Sequence, residues 1–262
     1  MHPYLNTAVQ AARRAGKVIS RYYEQMDASK VSEKGLGDLV TIADKAAESA
    51  IIDTLLKAYP GHGILAEESG MHPGNDLTWI IDPLDGTMNF VHGFPQFAVS
   101  IALKHGTHIE HAVIYDPISH DLYTASRGSG AQLNDRRIRV STQETFRNAL
   151  IGCEINCYLS KEENAQLLKV AETVFAQGGD TRKNGSAALN LAYVAAGRLD
   201  GFLEPNLKEW DIAAGILLVR EAGGFVSDLE GGNSFLETGD IIAGTRKIHG
   251  ELLGLWKDIR SL

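Results

Sequence analysis

Residues 79–90, Trp-Ile-Ile-Asp-Pro-Leu-Asp-Gly-Thr-Met-Asn-Phe, constrain this chain most, because an apolar run ends on two carboxylates, Asp82 and Asp85. Trp79, Ile80 and Ile81 read as a buried strand bounded by turn residues, so Asp82 falls at or just past its end. Open α/β sheets present their ligands at that edge. Asp-Pro favours turn initiation, and Gly86 is free to adopt positive φ, so the chain can reverse and aim both carboxylates at one point. Carboxylates so placed invite a divalent cation. Thr87 and Asn89 follow where a short helix can open, and exposed backbone N–H groups there suit an anion such as phosphate. The same D-P-x-D-G pattern is also ordinary surface-turn chemistry, and alone it fits both readings.

The rest of the chain narrows the choice. At 262 residues, 44% hydrophobic and 22% charged, it is long enough for one large domain or two intimate halves around an ample core. Apolar runs such as Ile241-Ile242-Ala243 fall far short of the ~20 residues that span a bilayer, so no transmembrane helix is expected. Met1-His2-Pro3-Tyr4-Leu5 lacks a basic region followed by an apolar core, and a cytoplasmic location is expected. Net charge is −8, and the dense basic cluster Arg136-Arg137-Ile138-Arg139 sits beside an expected Asn134-Asp135 turn. That balance argues against generic nucleic-acid binding. Cys153 and Cys157 are too few for a disulfide framework or a four-thiolate zinc site, and both are expected reduced and buried. No H-E-x-x-H pair, nucleophile elbow or P-loop is present, and Gly35-Leu36-Gly37 lacks the third glycine of a dinucleotide site.

Leu5, Val9, Ala12, Gly16, Ile19 and Tyr23 recur at helical spacing, and Ile42, Ala46, Ile51 and Leu55 repeat the pattern. Between these two helices, residues 29–38 are polar and carry Gly35 and Gly37, which predicts a mobile loop. Residues 63–66 read as a short strand ending at Glu67-Glu68, and residues 97–140 alternate as an antiparallel meander. The second half changes character. Strands are expected at 149–155, 198–204, 225–227 and 240–243, with helices at 161–177, 186–196, 210–222 and 246–259. No linker or repeat divides the halves, so one layered unit with subdomains 1–145 and 146–262 sharing a site is expected.

Further acidic residues stand at element ends. Glu67 follows a strand, Glu204 ends another, and Asp211 lies in the first turn of a helix. Singly, each has a plain explanation: Asp211 complements a helix dipole, and Glu67-Glu68 is a solvated loop. Together they lie where a rigid scaffold presents chemistry. Two like charges ~4 Å apart repel by roughly 4 kcal/mol at an effective dielectric of 20, so convergence requires a cation or shifted pKa values. Oxygen-only ligands favour Mg²⁺ over zinc.

Asp82-Pro-Leu-Asp-Gly-Thr87, preceded by Ala66-Glu67-Glu68-Ser69 and followed by Trp210-Asp211-Ile-Ala-Ala-Gly215, resembles the inositol monophosphatase family of Mg²⁺-dependent, lithium-sensitive phosphatases. Asp38-Leu-Val-Thr-Ile-Ala-Asp44 and Gly185-Ser-Ala-Ala-Leu189 extend the likeness over nearly the whole chain. Its bacterial SuhB-type branch is suggested by Met1-His2-Pro3, Asp200-Gly-Phe202 and Leu218-Val-Arg-Glu-Ala-Gly-Gly224. The resemblance implies the layered αβαβα sandwich, an α+β fold, that this family shares with fructose-1,6-bisphosphatases. It implies two to three Mg²⁺ ions. One would be held by Glu67, Asp82 and the Leu84 carbonyl, a second by Asp82, Asp85 and Asp211, and a weaker third would share Glu67. Thr87, linked to Asp44, would orient the attacking water. Gly86 and Thr87 amides would grip phosphate, while Asp85, Gly185, Ala187, Glu204 and Asp211 would face the substrate. Lys34 would lie in a mobile loop that closes over the metals.

The implied activity is hydrolysis of inositol monophosphate, with looser action on other small polyol or sugar phosphomonoesters, by a homodimer. Alternatives are a fructose-1,6-bisphosphatase, a nucleotide 3′-phosphatase, or an interaction protein of the RNA polymerase and antitermination machinery, a role associated with SuhB-type proteins. Three positions depart from the pattern. Met88 stands where a second threonine is usual, Pro205-Asn206 replaces a residue plus glycine, and Lys183 follows Arg182 where two arginines are frequent.

Overall fold

Strand parity in the segment around Trp79 sets the architecture. In the computed structural model, Trp79 and Ile81 point into one hydrophobic core while Ile80 points into another. A strand buried on both faces needs a continuous apolar run, which is what Trp79-Ile80-Ile81 supplies. Asp82 shares the parity of Ile80. The structure describes residues 2–24, 31–35 and 38–260, and for 31–35 and 38–41 the backbone alone.

The chain opens with α1 (Pro3–Glu24), the antiparallel ribbon β1 (Val31–Gly35) and β2 (Asp38–Thr41), and α2 (Ile42–Ala58). There follow β3 (Gly63–Ala66), β4 (Gly70–His72), β5 (Leu77–Asp85), the short α3 (Thr87–Val91), β6 (Ala98–His105), β7 (His108–Tyr115), β8 (Leu122–Ser126), β9 (Gly130–Leu133) and β10 (Arg136–Arg137). These form an eight-stranded sheet in the order β10-β9-β8-β7-β6-β5-β3-β4, antiparallel except where β3 runs parallel to β5.

The second half supplies β11 (Leu150–Cys153), α4 (Lys161–Ala176), β12 (Asp180–Arg182), α5 (Ala187–Ala195), β13 (Gly201–Glu204), α6 (Glu209–Glu221), β14 (Phe225–Ser227), α7 (Phe235–Thr238), β15 (Ile241–Gly244) and α8 (Arg246–Arg260). Its five strands form a mixed sheet ordered β12-β11-β13-β15-β14.

Five layers result. Helices α1 and α2 cover one face of the large sheet, and α5 and α6 fill the space between the two sheets. α4 and α8 cover the outer face of the small sheet. The expected αβαβα sandwich is therefore the fold observed, with α6 packed on β5, β6, β7 and β8 from one side and on β14 and β15 from the other.

Several expectations change. Within the predicted loop over 29–38 lie β1 and the first residue of β2, so Lys34 lies on a strand, and its side chain falls outside the described residues. In α2 the buried residues are Ala43, Ala47, Ile51 and Leu55 together with Asp44 and Glu48, while Ile42 is exposed. Carboxylates on the inward face dilute the apolar rhythm that sequence reading depends on. Cys153 is buried as expected, but Cys157 is exposed. The Asn134-Asp135 turn forms as expected, with both residues in the left-handed region at φ 49° and 64°.

Candidate active site

β5 does not end at Asp82; it continues to Asp85 through a bulge. Asp82 pairs with Ser100 and Asp85 with Ala98, so three steps on β5 match two on β6. This corrects the strand-then-turn expectation. Residues three apart on a regular strand face opposite ways, and the extra residue returns Asp85 to the face that carries Asp82. Pro83 has no N–H to donate to the ladder, and the Leu84 N–H instead donates to Asp82 Oδ1 at 2.9 Å.

Glu67 arrives by sheet register. Ala66 on β3 pairs with Ile81 on β5, and the Glu67 N–H donates to the Ile81 carbonyl at 3.2 Å, which sets Glu67 beside Asp82. The Glu67-Glu68 turn is tied to α2 by Glu48 Oε2, which accepts from the Glu68 N–H at 2.8 Å. Asp211 comes from the first turn of α6, where it accepts from the Lys208 N–H at 2.7 Å. α6 is itself held against β6 by Lys104 Nζ on Glu209 at 2.6 Å and by the Ser100 hydroxyl on the Trp210 carbonyl at 3.2 Å.

The outcome is one acidic centre. Carboxylate oxygens of Asp82, Asp85 and Asp211 all lie within 4.8 Å of one another. They open with Glu67, Leu84, Gly86 and Thr87 on a cavity of about 960 Å³. Crowding and burial show in their protonation. Burial, then Glu67, Asp85 and Asp211, holds the Asp82 carboxyl well above the usual range. Burial and the neighbouring Asp211, Asp44, Glu68 and Asp85 push Glu67 up to about 8. Asp211 is raised to about 7 by burial and Asp85. Asp85 reaches about 6, driven by burial against the opposing hydrogen bonds of Ser186 and Ala188. Oxygen donors that repel each other in a partly buried pocket suit a hard divalent cation, whose charge removes the repulsion.

The other expected residues are gathered nearby. Thr87 opens α3, and its hydroxyl donates to the Leu84 carbonyl at 3.0 Å. Asp44 is buried on α2, close enough to raise the pKa of Glu67. Gly86 has φ 95°, and a Cβ there would lie 2.8 Å from the Gln96 carbonyl, so glycine is required. Gly185, Ala187 and Glu204 line the same cavity, and Met88 presents an exposed thioether on its wall. Asn206 takes the left-handed conformation, φ 62°, which asparagine tolerates better than most residues.

The sequence profile of the inositol monophosphatase family matches residues 1–261. The chain belongs to that family. It is 49% identical over 260 residues to Nus factor SuhB of Salmonella typhimurium, covering 98% of this chain and 97% of that one. It is also 49% identical over 251 residues to the inositol-1-monophosphatase of Mesorhizobium japonicum, covering 95% and 94% respectively. Among solved structures, the extragenic suppressor protein SuhB of Bartonella henselae superposes with a TM-score of 0.91 at 47% identity, covering 96% and 97% of the two chains. The Thermotoga maritima enzyme of the same family gives 0.89 at 33% identity and 98% coverage of both chains.

Further residues of this candidate site were given no role there by the sequence. Ser186, which the sequence places in the Gly185-Ser-Ala-Ala-Leu189 motif at the start of a helix, donates its hydroxyl to Asp85 Oδ2, and the Ala188 N–H donates to the same oxygen at 2.7 Å. Glu154, just past β11, lines the cavity and accepts from Asn184 N–H, Gly185 N–H and Asn190 Nδ2. The rule that singled out Glu67 and Glu204, a carboxylate at a strand end, applies equally to Glu154. Asn89 Nδ2 bonds the carbonyls of Gln96 and Asn184 at 2.7 Å each, joining α3 to the approach of α5.

Proposed function

We propose that this chain is a Mg²⁺-dependent phosphomonoesterase that hydrolyses inositol monophosphate and other small polyol or sugar phosphates to free alcohol and phosphate. The observation that carries the reading is the convergence of Asp82, Asp85 and Asp211 oxygens within 4.8 Å on a cavity that Glu204 also lines. Glu67, Asp82, Asp85, Asp211 and the Leu84 carbonyl would hold two to three ions. When bound, such ions supply an activated water and stabilise the charge on the transferring phosphoryl group and leaving oxygen.

The chain's own groups do the rest. Thr87, fixed by the Leu84 carbonyl, and Asp44 orient the attacking water, and the Gly86 and Thr87 amides face the phosphate. Gly185, Ala187 and Glu204 take the alcohol half. Glu204 is nearly buried, so a substrate lacking its hydroxyl would leave a polar group unpaired, which disfavours such analogues. Cytoplasmic location and a homodimer fit the family reading. No described helix is long and apolar enough to cross a membrane.

The test is phosphate release from a panel of phosphomonoesters while Mg²⁺ and Li⁺ are titrated. Turnover is expected to require Mg²⁺ and to fall with Li⁺, with inositol 1-phosphate preferred over fructose 1,6-bisphosphate and 3′-phosphonucleotides. Undiminished turnover after thorough chelation would overturn the mechanism. Asp85→Asn is expected to lower turnover at least about a hundredfold, since a ligand worth several kcal/mol of charge stabilisation is weakened. The Nus factor name of several relatives supports a second reading, an interaction protein of the transcription machinery. That reading rests on kinship alone, whereas the hydrolase also rests on carboxylate geometry. A cellular phenotype unmoved by Asp85→Asn would favour the partner role.

A further inference from the structure

The cavity has a second acidic wall. β11 and β13 run parallel with Cys153 opposite Leu203, so the next residues, Glu154 and Glu204, leave the sheet side by side at its carboxyl edge. Neighbouring strands lie about 4.8 Å apart. Both side chains are nearly buried, 3% and 5% exposed, and both line the cavity.

Each has one oxygen occupied by protein donors. Glu154 Oε1 accepts from Asn184 N–H at 2.7 Å, Gly185 N–H at 3.1 Å and Asn190 Nδ2 at 2.8 Å. Glu204 Oε1 accepts from Asn156 Nδ2 at 3.2 Å. Among the described contacts, Glu154 Oε2 has the Lys183 ammonium at 3.8 Å, an ion-pair distance too long for a hydrogen bond. A ligand hydroxyl has both a proton for such an oxygen and lone pairs for an ammonium. Two hydroxyls on adjacent carbons match two carboxylates on adjacent strands.

We infer that Glu154, assisted by Lys183, is a specificity-determining residue that reads a second hydroxyl beside the one met by Glu204. The inference rests on the phosphatase reading and assigns a further residue to its choice of alcohol.

The experiment compares inositol 1-phosphate with cyclohexyl phosphate, the same ring without hydroxyls, in wild type and Glu154→Gln. Glutamine keeps an oxygen for the Asn184 and Gly185 amides and replaces the cavity oxygen with a donor. The variant is expected to raise KM for inositol 1-phosphate about tenfold more than for cyclohexyl phosphate, with kcat moving little, as for a site left with a mispaired hydroxyl. An equal effect on both esters would reduce Glu154 to a pin for the 184–185 turn and overturn the inference. Should that variant fold poorly, Lys183→Met, at a side chain 57% exposed, serves instead. It is expected to raise KM for the inositol ester about threefold more than for the cyclohexyl ester, the size of one lost polar contact, and equal KM changes would overturn the inference. Wild type that turns over both esters alike would sink the inference and leave the phosphatase standing; hydrolysis of neither would remove both.

Discussion

Ser186 uses one oxygen for two tasks. Its hydroxyl donates to Asp85 and accepts from the Leu189 N–H at 3.2 Å, so it both steadies a candidate metal ligand and caps α5. Ser186→Ala is therefore expected to cost about 1 kcal/mol through the lost cap, read as a lower urea midpoint with unchanged m-value. It is also expected to raise the Mg²⁺ concentration for half-maximal turnover, because Asp85 loses a donor that holds it in place. A variant with wild-type stability and metal requirement would contradict both roles. At this scale the sequence was readable where chemistry and element ends coincide, as at Asp85, Glu67 and Asp211. Ser186 escaped because its local role as a helix opener was sufficient explanation, and its partner lies 101 residues away.

Among elements, the junction of α1, the end of α2, β3, β5 and β7 is sealed by rings. Tyr59 stacks on His62 with centroids 4.9 Å apart, Tyr4 meets both edge-on, and His2 stacks on His111 at 4.4 Å. Burial, and then His2, holds His111 down to about 4 from an ordinary 6.5, and burial also lowers His62. Both histidines are thus neutral in the folded protein across a range where the unfolded chain takes up protons. Their depressed values mean that stability is fully present above about pH 6.5 and is lost as pH falls toward about 4. The crowded carboxylates of the site titrate with the opposite sign, so the readout is a comparison: His111→Gln should remove the histidine's part of the urea-midpoint slope between pH 7 and pH 4.5 while keeping a partner for Ser126, which His111 Nδ1 meets at 2.8 Å. An unchanged slope would contradict the assignment. Most elements were legible from periodicity, since the meander and the helices of the second half have long apolar patterns. The β1–β2 ribbon, the three-residue β12 and the four-residue α7 were not, because pairing partners and packing rather than local pattern decide such short pieces.

Across the whole molecule, the change from meander to mixed α/β near residue 145 divides two sheets, yet the core does not divide there. Ile80, Ala98, Ala102, Ile114 and Tyr123 of the large sheet share one buried cluster with Ala188, Leu191, Ala192, Ile216 and Leu218 of α5 and α6, and with Phe202 and Ile241 of the small sheet. A chain cut at 145 would leave the inner face of the large sheet in water, losing on the order of 25 cal/mol for each Å² of apolar surface left uncovered. The candidate site is split in the same way, Asp82 and Asp85 on one side of the cut and Asp211 on the other. Subdomains 1–145 and 146–262 are therefore expected to unfold together. Near-ultraviolet circular dichroism and tryptophan fluorescence, which draw on Trp79 in the first half and Trp210 and Trp256 in the second, should give coincident transitions. Fragment 1–145 expressed alone should lack a cooperative transition. Two resolved transitions, or a folded fragment, would show that each sheet carries its own stability and that α5 and α6 are a cover rather than a shared core.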